Sequence, residues 1–162
     1  MLKSPSSKKS HTVAETSHHL KIISIVLLVI GLFFALLTFV YMAPAQAQTG
    51  QGMQSRPYHM LIVNTTLASV LVIMEFYKTS HKAVMGLRLG VMLALVATIG
   101  YMIYLLRLGA DSSPWRFAGG TGAGGDPQDQ VAYTFGCLTT GFIGAGALFS
   151  FIYNFHNVAH KY

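Results

Sequence analysis

The chain has 162 residues, 52% hydrophobic and only 10% charged, with a net charge of +6. A soluble domain devotes about a quarter of its residues to Asp, Glu, Lys and Arg. The composition therefore excludes an ordinary water-soluble globule, and no length is left for a separate soluble domain. The cations flank apolar runs, which suits a membrane surface and argues against nucleic acid as a partner.

Residues 1–21 read as a polar, basic N-terminal tail, Ser- and Lys-rich through Ser10. Thr12-x-x-Glu15 fits a capping box and predicts a short interfacial helix ahead of the first span, with His18 and His19 at headgroup depth. The first apolar run is Ile22–Met42. A helix needs about 20 mostly apolar residues to cross the ~30 Å hydrocarbon layer, and this run has them. The Ala45-Gln46-Ala47 that follows has the small-residue spacing of a signal-peptidase site. The apolar core is longer than the 7–15 residues or so typical of a signal peptide, so a retained helix is expected.

The second run is Tyr58–Tyr77, with Pro57 placed for the first helical position. Asn64, Thr65 and Thr66 fall in its outer half and suit hydrogen bonds between helices. Glu75 is an acid inside an apolar run, near one end. Lys78 stands three residues on, the spacing of a snorkelling ion pair. Arg88 on the next helix is placed to neutralise Glu75 across the hairpin. Thr79 or Ser80 can cap the third helix, and the short connection implies a tight hairpin.

The third run, Ala83–Leu106, carries Gly86, Gly90, Ala94 and Thr98 at four-residue spacing. The connection 107–130 follows, with Trp115 as an interfacial anchor and a Gly-rich stretch at 119–125. That stretch lacks the Gly-Lys-Ser/Thr ending of a phosphate loop and reads as a flexible linker. Asp126-Pro127-x-Asp129 is a helix start: a capping Asp, Pro at the first position, and a carboxylate where the helix dipole favours it. The fourth run, Val131–Phe155, has a second small-residue stripe of Ala132, Gly136, Thr140 and Gly144. In lipid, close backbone approach drives helix association. The two stripes therefore predict tight seams, either between the third and fourth helices or against a partner's helices.

These readings give an all-α polytopic integral membrane protein. Four transmembrane helices (about 22–42, 58–77, 83–106 and 131–155) form an antiparallel up-down bundle as one domain, 22–162. Lys3, Lys8, Lys9, Lys21, Lys78, Lys82, Arg88 and Lys161 fall on one side. Both termini are therefore expected on the inner face of a cell inner membrane or organellar equivalent.

The single cysteine, Cys137, cannot form an internal disulfide. A b-type haem needs axial His ligands within the spans, whereas His59, His81 and His156 fall at span ends. His156 and His160, four apart, with His81 on the same side, are the residues that could chelate a metal. Met53, His59 and Met60 are copper-compatible but read as packing. No cofactor is expected beyond bound lipids. The expected function is a non-catalytic accessory subunit of a larger membrane complex, such as a respiratory, photosynthetic or metal-dependent oxidoreductase, with other integral membrane subunits as partners. The alternatives are a small oligomeric transporter or channel using Glu75, Arg88 and Asn64, and an enzyme with an inner-face His-metal site.

Overall fold

The computed structural model describes residues 6–49, 56–76, 82–111 and 127–159, all of them helical. They form α1 (Ser6–Thr49), α2 (Arg56–Phe76), α3 (Lys82–Asp111) and α4 (Pro127–Ala159). Within them lie four helices long and apolar enough to cross a bilayer: Glu15–Tyr41, Tyr58–Phe76, Ala83–Leu105 and Tyr133–Phe155. The four expected spans are thus present.

The helix bounds differ from the apolar runs for local reasons. α4 begins at Pro127, as its start signal implies, rather than where the apolar run begins. α2 begins at Arg56, so Pro57 sits one position further in, still within the first turn, where its missing N–H is harmless. The polar leader does not form a separate short helix. No Pro or Gly interrupts residues 6–30, and an established helix adds residues at little cost, so α1 runs unbroken from Ser6 through the span. It also continues past Met42 through Pro44, whose ring removes one backbone hydrogen bond. The expected caps at Thr79, Ser80 and Asp126, the anchor Trp115, and the Gly-rich stretch lie outside the described residues.

Burial follows one rule on all four helices. On α1 the buried positions are Ser17, Ser24, Leu28, Gly31, Ala35 and Thr38; on α2 they are Leu61, Asn64, Ala68, Leu71 and Glu75. On α3 they are Met92, Leu95, Ile99, Met102 and Leu105, and on α4 Gly136, Thr139, Thr140, Ile143, Gly146, Ala147 and Ser150. Most successive seam positions are three or four residues apart. That is the ~3.5-residue period at which a helix keeps one seam against a neighbour.

α1 and α4 share the most extensive interface. It is lined by small residues, so the two backbones approach closely. A Cβ built on Gly31 would lie 2.9 Å from the backbone nitrogen of Ile143, and one on Gly146 would lie 3.0 Å from that of Leu28. Ser24 Oγ donates to the Gly146 carbonyl at 2.9 Å, and the Thr38 and Thr139 hydroxyls meet at 3.4 Å. Numbering rises along α1 from Ser24 to Thr38 as it falls along α4 from Gly146 to Thr139. Phe34 stacks on Phe135 and Phe142 beside this seam.

α2 and α3 complete the core. Leu28, Ala68, Leu71, Met92, Leu95, Ile99, Ile143 and Ala147 form one buried cluster, and Ala35, Leu61 and Met102 form another. The outward faces remain strongly apolar: Val29, Phe33 and Leu36 on α1 are each at least half exposed. Water would penalise so much exposed hydrocarbon; lipid does not.

Candidate functional site

Polar side chains buried in an apolar bundle must find partners among themselves. At one end of α2, α3 and α4 they do. Glu75 is on the buried seam of α2 and only 1% exposed. Its Oε2 pairs with Nη2 of Arg88 on α3. Its Oε1 accepts a hydrogen bond from Ser150 Oγ on α4 at 2.7 Å. One turn further along α4, Asn154 Nδ2 donates to the Ser150 carbonyl at 2.6 Å. The Arg88 guanidinium carbon lies 5.7 Å from the centre of the Tyr153 ring, within cation–π range. Three helices are therefore tied at one point by a charge pair and its hydroxyl.

Both carboxylate oxygens of Glu75 are engaged, and the two charges cancel. The arrangement acts as a clamp rather than as a free proton carrier. Removing either charge leaves the other stranded, at a cost of about 3–5 kcal/mol. The pairing expected across the hairpin is present, and Lys78 lies outside the described residues. An acid on the buried seam meets a cation on the facing helix before it can reach the headgroups. Arg88 Nε is buried without a hydrogen-bond acceptor.

Beside the clamp lies a groove of about 360 Å³ between α3 and α4. Met85, Leu89, Met92, Phe151 and Phe155 wall it, Gly86 leaves it open on one side, and Arg88 and Asn154 give it its polar residues.

The other expected site residues are dispersed. Gly86 and Gly90 face outward, with nothing within 4 Å of a Cβ built on either. Ala94 is exposed on the same helix, and the Thr98 hydroxyl bonds to its own helix at Ala94 and Leu95. Among the described residues the glycines of the α3 stripe therefore have no packing partner. On α4, Gly136 and Thr140 are buried, with Thr140 Oγ1 on the Gly136 carbonyl at 2.8 Å, while Gly144 makes ordinary contact with Ile99.

Asn64 is buried with Oδ1 unpartnered. It stands eleven residues from Glu75, about 16 Å along the helix axis, and is not among the groove's lining. Thr65 bonds to the Leu61 carbonyl of its own helix and Thr66 is exposed, so neither forms the expected bond between helices. A hydroxyl one turn from a free carbonyl lone pair satisfies itself locally.

Among the described residues no group of three or more His, Cys, Asp or Glu gathers as a metal-ligand set. His81 and His160 lie outside the described residues, as does the side chain of His156. Sequence reasoning missed Ser150 and Asn154, although two polar residues four apart inside an apolar run were a usable signal. Comparisons with protein-family models, curated proteins and solved structures give no match.

Proposed function

We propose that the chain is a non-catalytic helical subunit of a larger membrane assembly, docked through the outward face of α3. One observation carries the reading. Gly86, Gly90 and Gly100 are open to the outside, while the chain's own close-packed seam uses Gly31 and Gly146. Glycine in a helix interior costs about 1 kcal/mol relative to Ala. In lipid that cost is offset where another backbone comes close, and within this chain none does so along the α3 face. Along the most apolar 18 residues of each span α3 is also the least covered, 17% buried against 39% for α4. Tyr101 and Tyr104 stack on each other on the same helix, both exposed.

In this reading the four helices form an antiparallel up-down bundle in the bilayer. Both termini lie on the inner, cation-rich side, which puts the Glu75–Arg88 clamp at the inner ends of α2 and α3. The transporter reading draws less support, because Glu75 is fully engaged and Asn64 stands about three turns away.

The test is purification of the chain from its own membranes in mild detergent, beside a Gly90→Leu variant. The expected result is co-migration of other integral membrane proteins with the natural chain and their loss from Gly90→Leu, whose helix content and melting are not lowered. The natural chain migrating alone would overturn the reading. The identity of the co-migrating subunits also settles whether the assembly is an oxidoreductase.

A further inference from the structure

We infer that the groove between α3 and α4 is a binding site for one anionic phospholipid, its acyl chain between Leu89 and Phe151 and its phosphate drawn to Arg88 and the first turn of α3. The site borders the glycine face proposed for docking and shares Gly86 with it, while Gly90 and Gly100 lie outside its lining. Its walls of Met, Leu and Phe suit a hydrocarbon chain and little else. Its polar end presents the positive side of the Glu75–Arg88 pair, because Arg88 lines the groove and Glu75 does not. Glu75 takes one of the guanidinium's five donors, so others remain for a second anion. α3 also begins at Lys82, one turn before Met85 and Gly86 at the groove, so the free N–H groups and positive dipole end of the helix lie next to it.

Depth agrees with this occupant. From Met85 to Met92 the groove follows about 10 Å of helix rise, from the helix end into the apolar span. A headgroup at the α3 start therefore places its chain along Leu89 and Met92. Basic pockets between transmembrane helices on the inner face are where anionic headgroups are recognised.

The experiment titrates delipidated, detergent-solubilised protein with phosphatidylglycerol or phosphatidylcholine of identical chains. Native mass spectrometry reads the single-lipid adduct. Phosphatidylglycerol is expected to bind about five-fold more tightly or better, the size of one cation's interaction with an anionic headgroup. Leu89→Trp, which narrows the groove and leaves the clamp untouched, should remove that preference. The double variant Glu75→Gln/Arg88→Gln, which removes both charges, should reduce binding of phosphatidylglycerol to the level of phosphatidylcholine. Where the double variant does not fold, Leu89→Trp decides alone. Equal binding of the two lipids, or a preference that survives Leu89→Trp, would overturn the site. Gly90→Leu should retain the lipid preference, so the lipid site and the docking face fail separately.

Discussion

Replacing Gly31 by Ala tests the α1–α4 seam at its tightest point. The added methyl would sit 2.6 Å from Ile143 Cγ1, 2.9 Å from the Ile143 backbone nitrogen and 3.3 Å from Phe142 Cβ. Carbon contacts are optimal near 3.5–4.0 Å or so. The Ile143 side chain can rotate away; its backbone nitrogen cannot, so α1 and α4 must part by roughly half an ångström to one ångström. A gap of that size forfeits about a quarter to a half of each contact it opens, and overpacking of this kind costs about 1–3 kcal/mol. Ala gains up to about 1 kcal/mol over Gly in helix propensity, which leaves a net loss of up to about 2 kcal/mol.

Gly90→Ala is the control. Its methyl meets nothing within 4 Å, so only the propensity gain remains. The two substitutions, chemically identical, share the propensity gain and should differ by the overpacking cost, about 1–3 kcal/mol. Unfolding in mixed micelles with increasing dodecyl sulfate, followed by circular dichroism, measures the difference. If Gly31→Ala proved as stable as Gly90→Ala, the close approach of α1 and α4 would be wrong.

Further outcomes follow from the same structure. Glu75→Gln and Arg88→Met should each lose about 3–5 kcal/mol in that assay, and Glu75→Gln/Arg88→Gln should recover part of the summed loss; strict additivity would mean the two side chains do not interact. Asn64→Leu should stabilise the chain by about 1 kcal/mol, because Oδ1 is buried with no partner to lose; a marked loss of stability would show that Asn64 is satisfied. Ser24→Ala should cost about 0.6 kcal/mol, the usual worth of a hydrogen bond between membrane helices, through its bond to the Gly146 carbonyl. Thr65→Val should cost nothing measurable, since that hydroxyl bonds within α2; a larger loss from Thr65→Val than from Ser24→Ala would reverse the assignment.

The spans were legible because the length of apolar chain needed to cross lipid is a local property that any window of sequence displays. The start of α4 was legible for a similar reason, since Asp126-Pro127 is chemistry confined to neighbours. The Glu75–Arg88 pair could be anticipated because charges in an apolar run have few places to go. The α1–α4 seam was not found, because the four-residue stripes on the third and fourth helices drew attention instead. Its signal was present in the ~3.5-residue spacing Ser17, Ser24, Gly31, Thr38, interleaved with Leu28 and Ala35. A stripe shows only that a close approach is possible. Which helix makes it depends on how four seams fit together, a tertiary property that put Gly31 in contact and left Gly86 open. The continuity of α1 was missed because a capping pattern was read at Thr12 where the preceding residues already propagate helix.

The most direct measurement of the docking face is site-specific photo-crosslinking in intact membranes, with a photoreactive residue at Ala94 on the outward face of α3 and, for comparison, at Val29 on the bulky apolar face of α1. Ala94 should yield a protein adduct of defined mass, and Val29 should yield lipid adducts alone. Protein adducts from Val29 with only lipid at Ala94 would contradict the proposed role of α3.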